Sequence, residues 1–284
     1  MAPALVAWLW GLGLGLLVGL ATLLGNVATR SGALTLAILT GLVAGLGGWE
    51  WGVVLVAFDA CLFVTVRYRR VVKASIETVG REPRLGWAGA LARLGWAAIL
   101  ATLYGRSDSA LGYAAFVGAV AASAADLAAT QLGVLSAQRP RLVTTWRPAL
   151  PGTPGAISTL GTIAAVGASW LIGLVALSAQ ALSSWLAQSP AAPLWAWLPV
   201  AALAGGMAGT VLDSLLAATG QRVYYDPRRE QPSECDVDST GAPNEPVRGW
   251  AWLTSEAIDL VSTAVGAAAT CAVATWLAHS LGHW

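Results

Sequence analysis

The sequence predicts an all-α polytopic membrane protein with about eight transmembrane helices and both termini on the outer side. Three observations carry that prediction. Of the 284 residues, 56% are hydrophobic and 11% charged, against about 25% charged in an ordinary soluble domain. Apolar runs recur along the whole chain, and about 20 such residues suffice to cross a hydrocarbon core. The basic residues gather on alternate connections, the pattern that marks cytoplasmic loops.

The runs fall at about 4–24, 32–48, 49–66, 87–104, 110–130, 158–181, 192–218 and 253–279. In the first, Gly11, Gly15 and Gly19 recur every four residues, a small-residue face on which another helix can approach closely. The second and third are separated only by a short turn from Gly47 to Glu50. Trp8, Trp10, Trp49, Trp51, Trp87, Trp195, Trp197, Trp250 and Trp252 stand near run ends, where indole rings anchor at headgroups. Three connections are long. Residues 67–86 are basic, with a short interfacial helix expected near Arg67 to Val79. Residues 131–157 are rich in glycine and threonine, and 221–249, with Pro227, Pro232, Pro243 and Pro246, reads as a polar mobile loop. With this arrangement 14 of the 16 basic residues, from Arg30 to Arg248, lie on one side. Only Arg106 lies opposite, and Arg93 falls inside the fourth run. The basic side is therefore expected to be cytoplasmic, in a prokaryotic plasma membrane.

Several function classes are excluded. A net charge of +1 gives no field to attract nucleic acid. Lys73 is the only lysine, and no G-x-x-x-x-G-K-[ST] phosphate loop occurs. Cys61, Cys235 and Cys271 lack the spacing of a zinc site or disulfide framework and read as packing residues. His279 and His283 lie at the outer end of the last run, away from the acids at the basic side.

Ionisable groups inside spans are costly and point to function. They are Asp59, Arg93, Asp126, Asp213, Glu256 and Asp259. Asp59 and Arg93 are expected to form a structural ion pair. Asp126 and Asp213 sit among small residues near cytoplasmic helix ends. Glu256 and Asp259 are one turn apart, and either belong to a site or simply complement a helix dipole. Four carboxylates thus converge on one face. Magnesium takes oxygen ligands, usually one or two carboxylates plus phosphate oxygens; Asp126 and Asp213 are the expected Mg²⁺ ligands, with Glu256 or Asp259 as a further one. From Pro151 to Thr162, Gly152, Gly155 and Gly161 permit close backbone approach, while Thr153, Ser158, Thr159 and Thr162 offer hydroxyls at a helix start. That segment reads either as an anion site or as a turn followed by a hydroxyl N-cap. Arg81, Arg139, Arg141 and Arg147 are candidates for phosphate pairing.

Four blocks then occur in order: Arg139-Pro140-Arg141-Leu142-Val143-Thr144-Thr145, Pro151 to Thr162, Asp213-Ser214-Leu215-Leu216-Ala217-Ala218-Thr219-Gly220-Gln221, and Trp252 to Asp259. Together they resemble the integral-membrane family called domain of unknown function 92, which includes transmembrane protein 19 and the plastid phytyl-phosphate kinase. The resemblance implies a polytopic enzyme that phosphorylates an isoprenoid monophosphate to the diphosphate with a nucleoside triphosphate, CTP or ATP, and Mg²⁺. It carries a catalytic role onto Asp126 and Asp213, while the catalytic role expected of Glu256 and Asp259 comes from their place among the acids at the basic side. It carries substrate-binding roles onto Thr65, Arg81, Gly152, Thr153, Gly155, Ser158, Thr162, Ser214, Thr219 and Gln221. The chain departs from the family pattern at three places. A family Q-V-x-A-N-G block stands here as Gly89 to Leu94, an N-D-x-x-N block as Ser255 to Asp259, and the acid of A-D-T-x-x-S-E-x-G as Gln131. The competing expectations are an ion-coupled transporter of a small or lipid phosphate, or a catalytically inactive member. Self-association is left open.

Overall fold

A computed structural model describes residues 2–76, 84–107, 109–189, 193–228, 230–237 and 240–280. Eight long helices and one short one run through them: α1 (Ala2–Leu24), α2 (Arg30–Gly47), α3 (Trp49–Arg67), the short α4 (Arg70–Ile76), α5 (Trp87–Tyr104), α6 (Ala110–Gly133), α7 (Thr159–Leu186), α8 (Leu198–Thr219) and α9 (Ser255–Ser280). Seven helices among the described residues are long and apolar enough to cross a membrane. The eighth expected span is α5, which carries Arg93 in its second turn and is not among those seven. Among the described residues, α4 stands where the interfacial helix was expected.

Small residues decide the packing, because between lipid-exposed helices close backbone approach replaces the hydrophobic drive available in water. On α1 the glycine stripe does what its spacing predicts. A Cβ added at Gly11 would meet the Gly45 nitrogen at 2.7 Å, and one at Gly19 the Ala37 Cβ at 2.8 Å. The opposite face of α1, with Leu9, Leu12, Leu16 and Leu20, is exposed. The most enclosed helix is α6, where Ala114 to Leu127 is continuously buried apart from Ala115. It packs against α3, α5, α7, α8 and α9. Gly118 on α6, Gly205 on α8 and Gly266 with Thr270 on α9 interlock so closely that a Cβ at Gly118 would lie 2.6 Å from the Gly266 carbonyl oxygen.

The connections segregate by end. At one end Leu85 N donates to Val27 O at 3.0 Å, Ser158 Oγ to Gly133 O at 3.0 Å and Arg222 N to Leu253 O at 2.9 Å. Residues of the long basic connections line one cavity there. At the other end lie the tight Gly48 turn (φ +84°) and the contact of Gly105 with Gly47. Trp51, expected in the headgroup belt, is instead buried near that end. Its ring lies 4.4 Å from Phe116, and Trp195 stands edge-on to Tyr113 at 5.5 Å. A large flat ring can fill a gap between helix ends as readily as it can face headgroups, and here it packs.

Two of the basic-end connections carry short strands among their described residues. In 131–157, β1 (Arg141–Leu142) pairs antiparallel with β2 (Ala156–Ile157). The segment read as a mobile loop, 221–249, carries a three-stranded antiparallel sheet in the order β4 (Gln231–Ser233), β3 (Val223–Asp226), β5 (Glu245–Arg248). Two of the segment's prolines, Pro232 and Pro246, sit on the sheet's edge strands, where a missing amide donor is tolerated.

Candidate functional site

Asp126 on α6, Asp213 on α8 and Asp259 on α9 each lie about one to two turns from the basic end of their helices. The register of the small-residue seam brings them together: each offers one carboxylate oxygen, and these atoms lie within 4.8 Å of one another. Gly209, one turn from Asp213, abuts Ala122 and Ser262, themselves one turn from Asp126 and Asp259. The seam thus sets the spacing of the acids.

Arg93 joins them from the second turn of α5. Its Nη1 lies 3.2 Å from Asp126 Oδ2 and its Nη2 3.1 Å from Asp259 Oδ2, with side chains 12 to 14% exposed. The expected pairing of Arg93 with Asp59 does not occur: Asp59 faces α2, where Thr40 Oγ1 donates to its Oδ2 at 3.4 Å. α5 is steered by its own backbone, since Ser123 Oγ on α6 donates to the Arg93 carbonyl at 2.6 Å. Ser262 Oγ donates to Asp213 Oδ2 at 3.5 Å.

The cluster faces a cavity of about 990 Å³ that opens among the basic-end connections. Of the residues predicted from sequence, Gly152, Thr153, Gly155, Ser158, Thr162, Ser214, Gln221 and Glu256 line it. Glu256 borders the cavity without joining the three-acid cluster. Thr65 and Thr219 are not brought to it. Their hydroxyls donate to carbonyls of their own helices, Cys61 O at 2.6 Å and Leu215 O at 2.8 Å. Arg81 lies outside the described residues.

Several of the lining groups are structural in local role. Ser158 is the N-cap of α7: its hydroxyl accepts from Gly161 N at 3.2 Å while donating to Gly133 O. Gly152 (φ +84°) and Gly155 (φ +76°) adopt left-handed conformations suited to glycine, and Gly155 presses on the Ala218 backbone. Gln221, nearly fully buried, donates to Ser255 Oγ at 2.8 Å and Glu234 Oε1 at 3.3 Å, tying the ends of α8 and α9 to the sheet. The sheet segment, not assigned to the site from sequence, adds Tyr224, Asp226, Ser233, Glu234 and Asp236 to the cavity wall.

The chemistry of this donor set fits a divalent cation. Three hard carboxylates lie at mutual distances suited to ligands of one ion, and oxygen-only coordination with open positions suits Mg²⁺ more than zinc or copper. Nearby hydroxyls and backbone amides suit an anion.

An integral-membrane bundle with a carboxylate cluster at one end is the class that fold and site define. The chain belongs to the integral membrane protein family DUF92, whose profile matches residues 13–267. It is 36% identical over 105 residues to Protein PGR of Arabidopsis thaliana, covering 37% of this chain and 36% of that one. It is 34% identical over 120 residues to an uncharacterized membrane protein of Methanocaldococcus jannaschii, covering 42% and 44%. The alignments thus span less than half the length of either relative. No solved structure matches the chain significantly. Arg93 and Asp259, which fall in two of the blocks where the sequence was expected to depart from the family pattern, form the 3.1 Å ion pair. The third, Gln131, accepts from buried Lys73 Nζ at 2.8 Å.

Proposed function

We propose that the protein is a membrane-embedded kinase that phosphorylates an isoprenoid monophosphate, phytyl or prenyl in type, to the diphosphate. The donor is a nucleoside triphosphate, CTP or ATP, and the site lies at the cytoplasmic face of a prokaryotic plasma membrane. The observation that carries this reading is the gathering of Asp126, Asp213 and Asp259 around one point at the bundle's basic end. Phosphoryl transfer asks little covalent chemistry of a protein; it asks for charge neutralisation and in-line positioning. A bound Mg²⁺ would supply neutralisation of the developing charge between donor and acceptor phosphates.

In the transfer, a non-bridging oxygen of the prenyl phosphate forms a bond to the terminal phosphorus of the nucleotide as that phosphorus parts from the nucleoside diphosphate. The three aspartates would hold the cation. The 152–155 backbone turn and the hydroxyls of Thr153 and Ser214 offer donors to phosphate oxygens along the cavity wall. The depth of the site matches an acceptor whose tail stays in the bilayer while its phosphate lies at headgroup level. Ion-coupled transporters place their acids near the midplane, whereas these lie one to two turns from the helix ends.

Protein in detergent or nanodiscs, given Mg²⁺, CTP or ATP and phytyl or geranylgeranyl monophosphate, should yield the diphosphate. Asp213→Asn should lower the rate at least about 100-fold, as expected when a metal ligand with charge is lost. Absence of product from the wild type with every pair sinks the reading, as does an Asp213→Asn protein of unchanged rate.

A further inference from the structure

We propose that Arg93 is a phosphate-binding residue of this site, held before substrate arrives as the internal counter-ion of the carboxylates. The proposal rests on the kinase reading for its ligand and adds a role for a residue that no motif assigns. Arg93 spans two acids on different helices, Nη1 to Asp126 at 3.2 Å and Nη2 to Asp259 at 3.1 Å, in a bundle where an unpaired guanidinium is costly. It also lines the cavity.

Three carboxylates and one guanidinium leave two negative charges, the complement of one divalent cation. The cation and Arg93 compete for the carboxylates of Asp126 and Asp259, and their positive charges repel at this range. A cation on the aspartates therefore weakens Arg93's hold on Oδ2 of Asp126 and Asp259. The planar fork, with its N–H donors already at the cavity wall, matches two oxygens of a phosphate in the geometry it now offers two carboxylates. Arg93 thus tempers cation binding in the empty site and neutralises phosphate in the filled one.

The two roles have opposite signs, which a merely structural strut would not show. In nanodiscs, Mn²⁺ binding followed by paramagnetic resonance and geranylgeranyl monophosphate binding to the Mn²⁺-saturated protein are measured for wild type, Arg93→Gln and Arg93→Lys. Arg93→Gln should bind Mn²⁺ about tenfold tighter and the monophosphate at least about tenfold more weakly. Arg93→Lys, which keeps the charge and loses the fork, should bind Mn²⁺ as the wild type does and the monophosphate several-fold more weakly. Unchanged or jointly weakened binding overturns the proposal, as does tighter Mn²⁺ binding with unaltered monophosphate affinity. Should Arg93→Gln fail to fold, the Lys variant decides, and equal monophosphate affinity in it overturns the proposal. A wild type that binds no Mn²⁺ also overturns it. If the binding pattern holds and no diphosphate ever forms, the kinase reading fails and this one stands.

Discussion

Gly209→Ala is the smallest change that should open the carboxylate cluster. A Cβ there would lie 2.7 Å from Ala122 Cβ and 2.8 Å from the Ser262 carbonyl oxygen, where carbon contacts rest at about 3.5–4.0 Å. α8 must withdraw by about 1 Å at that level, one turn from Asp213, while Asp126 and Asp259 stay on α6 and α9. Metal–ligand distances tolerate errors of about 0.2 Å, so Mn²⁺ affinity should fall about 10- to 100-fold, equivalent to about 1.4–2.8 kcal/mol. Overpacking should cost a further ~1–3 kcal/mol of stability. The control is Gly167→Ala on α7, where an added Cβ meets nothing within 4 Å and helix propensity improves by up to about 1 kcal/mol. Mn²⁺ titration and thermal unfolding of both variants in one detergent make the comparison. Should Gly209→Ala bind Mn²⁺ like the wild type and melt with Gly167→Ala, the seam does not set the spacing of the acids.

Two further outcomes are expected. Ser158→Ala removes both the N-cap of α7 and the bond to Gly133 O, and should lower stability by about 0.5–2 kcal/mol in thermal unfolding. Lys73→Met leaves the Thr65 and Val66 carbonyls and Gln131 Oε1 without the buried ammonium they share. It should cost about 1–3 kcal/mol, and a double-mutant cycle with Gln131→Leu should show coupling; strict additivity would mean that the pair is not energetically linked.

The helices were legible because apolar length is a strong signal, and so were Asp126 and Asp213 as ionisable groups near small residues inside spans; Asp259 was not separable from Glu256, since both stand where an acid can simply complement the helix dipole. The partner of Arg93 was not legible. Several acids lay within reach under one assumed packing or another, and only the arrangement of α5 against α6 and α9 selects Asp126 and Asp259 over Asp59. Hydroxyls were equally opaque. Thr65 and Thr219 read like Ser214, yet the first two bond back to their own helices and only Ser214 lines the cavity. The sheet in 221–249 was hidden because its strands are three or four residues long and two of the three contain proline, too short for alternation to register.

The burial of Lys73 has an experimental consequence. It is the sole lysine of the chain, 5% exposed, with its ammonium bound at the junction of α3, α4 and α6. The folded protein therefore keeps its one side-chain amine out of reach of acylating reagents, and the rate at which that amine is modified becomes a clock for opening of the basic end. Because Gln131 lies on the same helix as Asp126, a ligand that steadies the acids should slow that clock from a distance.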